Sequence, residues 1–370
     1  DYPIQKQVLH GRLHGWHRKL MSMDTSTSFL LLNLGSPDSP DESDVRRYLK
    51  EFLMDKWVID TAWPLRFLTV YGFILPKRPK ETAEAYASIW TADGSPLVHT
   101  TQQVTDKVAA GLDAPITYAM RYGQPTIKSQ LETLKHTCQG KLKRLYVLPL
   151  YPHYALSSTK TALEASKQAI KAVMPQVEAY TLSPFYEDPD YIQALYHVSA
   201  PYLDKPFDHL LFSYHGLPER HIRKTDPTGN WCLSTPNCCD KTPEATKPFC
   251  YKHQTVRTTK ALATLAKLSN DQWSIAYQSR LGRDPWIQPF TDKVLEDLAQ
   301  SGKKKLLVIC PSFVTDCLET LEEIEMRGRD IFLSAGGETF DMIPCLNQHE
   351  AWVTYLKKRC KQPDPFFERL

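Results

Sequence analysis

Asp208-His209-Leu210-Leu211-Phe212-Ser213-Tyr214-His215-Gly216-Leu217-Pro218 is an apolar run that ends on a histidine and passes at once into turn residues. A strand buried on both faces of a parallel sheet reads as a near-continuous hydrophobic run. Ligands of open α/β sheets collect in the crevice beyond the carboxyl ends of such strands. His215 therefore stands where chemistry is commonly done. The bland alternative is an imidazole that caps the strand or bonds a neighbouring loop. This segment alone leaves both readings open.

Similar runs lie on either side of it, at Phe29 to Leu34, Ile116 to Met120, Leu145 to Leu150, Ile275 to Gln278 and Leu306 to Cys310. Between several of them, apolar residues recur at helical spacing, over Thr159 to Val173, Thr255 to Leu268 and Thr291 to Leu298. That alternation predicts an α/β fold of βαβ units around parallel sheets, arranged as two Rossmann-like halves. The N-terminal unit is expected over 24–200 and the C-terminal unit over 201–345. A C-terminal helix and tail follow over 346–370. The boundary is placed near 188–208, where Asp188-Pro189 and Lys205-Pro206 punctuate a helical stretch. Residues 1–23, basic and weakly periodic, read as a disordered extension, and Met21 or Met23 is a candidate translation start.

The 45 basic and 42 acidic residues nearly cancel, so nothing global points to nucleic acid. With no secretory pattern and no spanning segment, a cytoplasmic protein is expected. One region departs from the average. Trp57, Trp63, Phe67, Tyr71, Phe73, Tyr86 and Trp90 are interleaved with Arg66, Lys77, Arg78 and Lys80. Val58 to Leu75 is long enough to suggest a span, but Asp60, Pro64 and Arg66 argue against one. A lip over a flat apolar ligand, or peripheral contact with a membrane through 57–75, fits better, and ordinary core helices remain the alternative.

Two further clusters carry chemistry. After the strand Leu306 to Cys310 comes Ser312-Phe313-Val314-Thr315-Asp316-Cys317-Leu318-Glu319-Thr320-Leu321-Glu322-Glu323. Glu319 and Glu323 are four apart and share a helix face, an acidic ladder able to pass a divalent cation or protons. Against this, Asp316-x-x-Glu319 has the form of a helix capping box. The second cluster is Cys232, Cys238, Cys239 and Cys250, inside an insertion over 226–254 that lacks periodicity. Metal coordination would supply its order. A [2Fe-2S] cluster, zinc or unliganded thiols are the open readings, with His253 as a substitute ligand.

Eight dispersed passages, taken together, decide more than any single one. They are Leu31-Leu32-Asn33-Leu34-Gly35-Ser36-Pro37, Gly94-Ser95-Pro96-Leu97, Met120-Arg121-Tyr122-Gly123, Leu150-Tyr151-Pro152-His153-Tyr154, Tyr214-His215-Gly216-Leu217-Pro218, Tyr277-Gln278-Ser279-Arg280-Leu281-Gly282, Pro285-Trp286 and Asp316 to Glu323. In this order they resemble the protoporphyrin ferrochelatase family, over roughly Phe29 to Trp352. Ala335-Gly336-Gly337 and Ile343-Pro344-Cys345-Leu346-Asn347 resemble its proteobacterial branch.

The resemblance implies a porphyrin cleft between two Rossmann-like domains and insertion of ferrous iron into protoporphyrin IX to make haem. His215 and Glu319 resemble the family's facing pair, His215 as proton acceptor and iron contact and Glu319 as metal contact, with Glu323 as a relay. Arg121, Tyr122, Tyr151, Tyr154 and Trp286 are the expected porphyrin-binding residues, Arg121 toward a propionate. The four cysteines resemble the segment that binds [2Fe-2S] in some bacterial members. Cys317 departs from the pattern, standing where many members carry histidine, and reads as a packed small residue. A coproporphyrin or cobalt chelatase, and a non-catalytic tetrapyrrole or iron-sulfur binding protein, are the competing functions. Oligomeric state is not legible.

Overall fold

The computed structural model describes residues 24–282 and 284–370. The expected extension over 1–23 lies outside the described residues. Among the described residues nine strands form two sheets. The first contains β1 (Thr27–Ser36), β2 (Ile116–Gly123), β3 (Arg144–Pro149), β4 (Glu178–Leu182) and β9 (Phe367–Arg369), in the order β2-β1-β3-β4-β9. All its pairings are parallel except β4 with β9. The second contains β5 (His209–His215), β6 (Trp273–Gln278), β7 (Lys305–Ile309) and β8 (Thr339–Met342), in the order β6-β5-β7-β8, entirely parallel. The quoted run is thus a central strand, flanked on both sides.

Strand periodicity builds the layers. Phe29 and Leu31 of β1, Tyr146 and Leu148 of β3, Leu210, Phe212 and Tyr214 of β5, and Leu307 and Ile309 of β7 point into one apolar cluster shared by both sheets. Their sequence neighbours point the other way. Leu30, Leu32 and Val147 pack under helices of the first sheet, and Leu211, Leu306 and Val308 under those of the second. Each buried leucine or phenylalanine contributes about 2 kcal/mol by leaving water. The helix Glu350–Lys361 adds Trp352 and Tyr355 to the shared cluster, stacked at 5.1 Å. From the same helix the buried Arg359 reaches Asp188 and Asp190. Those carboxylates open the helix Pro189–Leu203, which occupies the stretch where the sequence placed a boundary.

Three strands carry no sequence signal of their own. β4 and β8 are short, and β9 exists only through its antiparallel pairing with β4. The tail is therefore partly a strand of the first sheet. At the sheet ends, Gly35 has φ +114°, and a Cβ there would lie 1.8 Å from the Tyr122 carbonyl oxygen. Only glycine lets β1 approach β2 that closely.

The aromatic region folds as the short helix Trp63–Phe67 continued by a π-helical turn, Leu68–Ile74. Its charges serve the fold. Arg66 is buried and donates to the carbonyls of Ile59 (3.1 Å) and Thr61 (2.9 Å). Asp60 is bound by Arg220 (2.7 Å) and Lys224 (3.3 Å) from the helix that follows His215. Among the described residues no helix is long and apolar enough to cross a membrane.

Candidate active site

Where the carboxyl ends of β1, β3, β5 and β7 face one another lies an open cleft. Gly35, Ser36, Tyr48, Phe52, Tyr86, Tyr151 and His153 line one side. His215, Tyr251, Ser312, Phe313, Cys317 and Glu319 line the other. His215 and Glu319 thus share one space, side by side on the same wall where the resemblance implied a pair facing across the cleft, and Tyr151 stands on the other wall.

His215 ends β5, and its Nδ1 lies 2.6 Å from the Gly216 carbonyl oxygen. A carbonyl can only accept, so the hydrogen sits on Nδ1, and in the neutral ring it is Nε2 that carries the lone pair. Nε2 is then the ring atom able to take a proton or bind a metal. The ring meets Phe313 edge-on, with centroids 6.4 Å apart. Gly216 is required behind it, because a Cβ would lie 2.8 Å from the Gln278 carbonyl oxygen and 3.3 Å from the Trp286 ring.

The anticipated capping box at Asp316 and Glu319 does not form, and that expectation is corrected. Both Asp316 oxygens are engaged elsewhere: Asn347 Nδ2 donates at 2.6 Å, the Cys345 amide at 3.2 Å and Thr320 Oγ1 at 3.2 Å. The helix begins one residue later, with Cys317 as N-cap and Thr320 Oγ1 accepting from the Cys317 amide at 3.0 Å. Glu319 is therefore free of capping duty and lines the cleft. Burial, with Glu319 nearby, pushes the Tyr86 phenol well above its ordinary range. Burial likewise pushes the Cys317 thiol up, and Glu319 adds to it, so Cys317 is a neutral packed side chain.

Glu323 stands one turn further on, in a π-helical stretch, Leu321–Gly328, a widened geometry frequent at functional sites. It accepts from the Ser279 amide at 2.9 Å, from the Ser279 hydroxyl, and from Gln278 Nε2 at 3.4 Å. Ser279 has φ +60°, a conformation that costs a non-glycine residue energy and persists where neighbours enforce it. Gln278 Nε2 also donates to the Glu319 carbonyl at 2.7 Å, and Ser213 of β5 donates to Gln278 Oε1 at 2.8 Å. Gln278 thereby joins the strand of His215 to the helix of Glu319 and Glu323. The motif containing it is visible in the sequence, but nothing local assigns it this role.

Four other predicted residues stand behind the cleft instead of lining it. Tyr122 is fully buried and donates to Asp55 at 2.9 Å. Arg121 pairs with the same carboxylate, donates to Thr161 at 2.8 Å, and lies over the Tyr122 ring at 4.3 Å. Burial works to raise the Asp55 carboxyl, but Thr161, the Trp57 amide and Arg121 hold it below its usual range. Tyr154 packs edge-on against Phe249 at 5.5 Å. Trp286 donates to the Leu281 carbonyl at 3.0 Å and bridges to Pro218.

Cys232, Cys238 and Cys250 are buried, Cys232 and Cys250 within the apolar cluster shared by both sheets, and Cys239 is half-buried, with no disulfide among the nine cysteines. The nearness of Cys250 Sγ to Cys232 and Cys239 pushes those two thiols up and Cys250 down. The Cys238 and Cys239 sulfurs are 4.0 Å apart. Among the described residues no three His, Cys, Asp or Glu side chains are gathered to hold a single metal ion. The donor type, one close sulfur pair and two further buried thiols in the same segment, is the type an all-thiolate iron-sulfur group takes. The segment's order does not depend on metal alone, contrary to the sequence reading. Asp226 accepts from the amides of Thr228 (3.0 Å), Trp231 (2.7 Å) and Cys232 (2.8 Å) and from Thr246 Oγ1 (3.1 Å). His253 directs Nδ1 to the Cys239 carbonyl at 3.2 Å, not to a thiol.

Comparison with known proteins agrees with this geometry. Among solved structures, SirB from Bacillus subtilis with Fe3+ is similar at a TM-score of 0.50, with 11% identity, over 91% of this chain and 94% of that one. The sirohydrochlorin chelatase SirB from Bacillus subtilis subspecies spizizenii in complex with cobalt gives the same TM-score and identity, over 92% and 99%. At that identity the likeness shows the fold alone. In sequence, the ferrochelatase of Pseudomonas aeruginosa (strain UCBPP-PA14) is 50% identical over 89% of this chain and 96% of its own length. The ferrochelatase of Stutzerimonas stutzeri (strain A1501) is 47% identical over 91% and 98%, and that of Azotobacter vinelandii (strain DJ / ATCC BAA-1303) 46% over 92% and 99%. With the ferrochelatase family model matching residues 26–363 as well, the chain belongs to the ferrochelatase family.

Proposed function

We propose that this cleft inserts ferrous iron into protoporphyrin IX to make protohaem, with His215 and Glu319 acting on the bound macrocycle. Family membership makes the chain a lyase-type chelatase that places iron in a porphyrin during haem biosynthesis. The observation that carries the residue assignment is the pairing, in one cleft, of a histidine with a free Nε2 lone pair and a carboxylate released from capping.

Metallation exchanges two pyrrole protons for one Fe2+ ion, so two protons must leave the ring. His215 Nε2 accepts a proton, becoming imidazolium with its Nδ1 hydrogen still on the Gly216 carbonyl. Glu319 supplies a hard oxygen ligand that holds the incoming iron only transiently. Glu323, one turn behind Glu319, is the next acceptor and releases the protons to water, while the Gln278 and Ser279 N–H groups only hold its carboxylate in place. Tyr151 bears on the macrocycle. Arg121, Tyr122, Tyr154 and Trp286 act from behind the lining, Arg121 on a propionate when released from Asp55. A cleft that favours a bent ring exposes the nitrogen lone pairs, which is differential binding of a distorted state.

Cys232, Cys238, Cys239 and Cys250 would hold a [2Fe-2S] cluster, which when bound supplies a structural staple open to iron and redox sensing. The exposed aromatic face carried by Trp63, Leu68 and Phe73 supports peripheral contact with the inner membrane from the cytoplasm.

The deciding experiment is anaerobic mixing of the protein with ferrous iron and, in parallel arms, protoporphyrin IX or coproporphyrin. A haem spectrum growing faster than the spontaneous reaction in the protoporphyrin arm is expected. Growth only in the coproporphyrin arm moves the substrate, and growth in neither removes the catalytic reading. Iron and sulfide analysis is expected to find two of each per chain, lost in Cys238→Ser. Flotation with anionic vesicles is expected to carry the protein, and Phe73→Ser to weaken it.

A further inference from the structure

The His215 peptide is held from two elements. Its amide donates to Ser312 Oγ at 3.3 Å, beyond the end of β7, and its carbonyl accepts from Tyr251 Oη at 2.9 Å. Because Nδ1 is tied to the next carbonyl, the direction of the imidazole follows the direction of this peptide. Tyr251 is buried and lines the cleft, with its ring edge-on to His153 at 5.8 Å. A carbonyl can only accept, so the Tyr251 hydroxyl is the donor in this contact.

Tyr251 is also the first residue of the helix Tyr251–Leu265, and the residue before it is Cys250. Cys250 Sγ caps that helix by accepting from the His253 amide at 3.4 Å. The same first turn meets the cysteine segment again at His253, whose Nδ1 lies 3.2 Å from the Cys239 carbonyl oxygen. The helix start is thus tied to the cysteine segment from both Cys250 and His253. A rearrangement of the thiols displaces the residue that holds the His215 carbonyl.

We propose that Tyr251 is a positioning residue for His215 and that it transmits the arrangement of the four-cysteine segment to the imidazole. The inference rests on the metallation role of His215 given above. The coupling is mechanical and moves no electron between the cysteines and the cleft.

Tyr251→Phe keeps the ring and removes one hydroxyl. It is expected to lower kcat about five- to tenfold, the scale of one hydrogen bond. KM for porphyrin should stay within about twofold, because ground-state binding is untouched. Amide hydrogen exchange over residues 209–218 should quicken. Cys250→Ser keeps a capping atom but removes the thiol contacts, and is expected to quicken the same exchange. The double variant should go no further than the larger single effect, as for two steps of one path. Unchanged kcat and exchange in Tyr251→Phe would overturn the positioning role. Exchange over 209–218 that is unmoved by Cys250→Ser, or that adds in the double variant, would overturn the transmission. Should Cys250→Ser not fold, Cys239→Ser disturbs the same sulfur from outside the helix and is read in the same way. Exchange is measured without porphyrin or iron, so an inactive wild-type protein sinks the metallation reading and leaves this measurement standing.

Discussion

The two walls of the cleft differ in kind. The first-sheet wall is aromatic and fixed, with Tyr48, Phe52, Tyr86 and Tyr151 at its surface and the Asp55, Arg121 and Tyr122 network locked behind it. The second-sheet wall carries His215 and Glu319, the groups proposed to take protons and ligate metal, with Glu323 and Gln278 linked behind them. In the proposed reaction one wall gives shape and the other reactivity. Flat, apolar substrates need a shaped surface, while proton removal needs groups whose charge can change; dividing the tasks lets each wall be rigid in its own way.

The largest effect that would test this division is His215→Ala. It is expected to lower turnover about a thousandfold, within the usual range for loss of a general base. Porphyrin affinity, followed by fluorescence quenching, should be retained. A comparable loss of affinity would mean that the reactive wall also shapes the site. Glu323→Gln comes next, costing about 1–2 kcal/mol in urea unfolding as Ser279 loses its charged acceptor. Unaltered stability would show that the strained Ser279 backbone is held by something else. The smallest effect concerns the tie between the walls, Asp60 with Arg220. Burial opposes ionisation of Asp60, yet Arg220 and His221 bring its carboxyl down to about 2. A depressed carboxylate contributes stability above its unfolded pKa and loses it as pH falls through the folded one. The tie should therefore weaken between about pH 4 and about pH 2. Asp60→Asn should remove that acid-dependent part, as read by tryptophan fluorescence of the lip. An identical acid profile in Asp60→Asn would assign the transition to other carboxylates.

Legibility followed the same line between local and distant causes. β1, β3, β5 and β7 were readable because strands buried on both faces must be apolar throughout. β4, β8 and β9 were not, since pairing with neighbours and not composition makes them strands. At the site, His215 announced itself by ending an apolar run. Asp316 misled, because its acceptors are taken by Asn347 and Cys345, nearly thirty or more positions away, and no local pattern reveals that. Tyr251, Ser312 and Gln278 carry no local signal for the same reason. The hydrogen bonds that tie them to His215 and Glu319 span 36 or more positions.

Strand β9 has a consequence for synthesis. Ser183, just after β4, donates to Glu368, 185 positions later, and β9 covers the β4 edge. During translation at about 5–20 residues per second, that edge stays bare for roughly ten to forty seconds while the whole second sheet is made. A bare edge is a template for pairing with other chains. The nascent first half is thus the aggregation-prone stage of this protein's life, and slowing the ribosome within the second half would lengthen it.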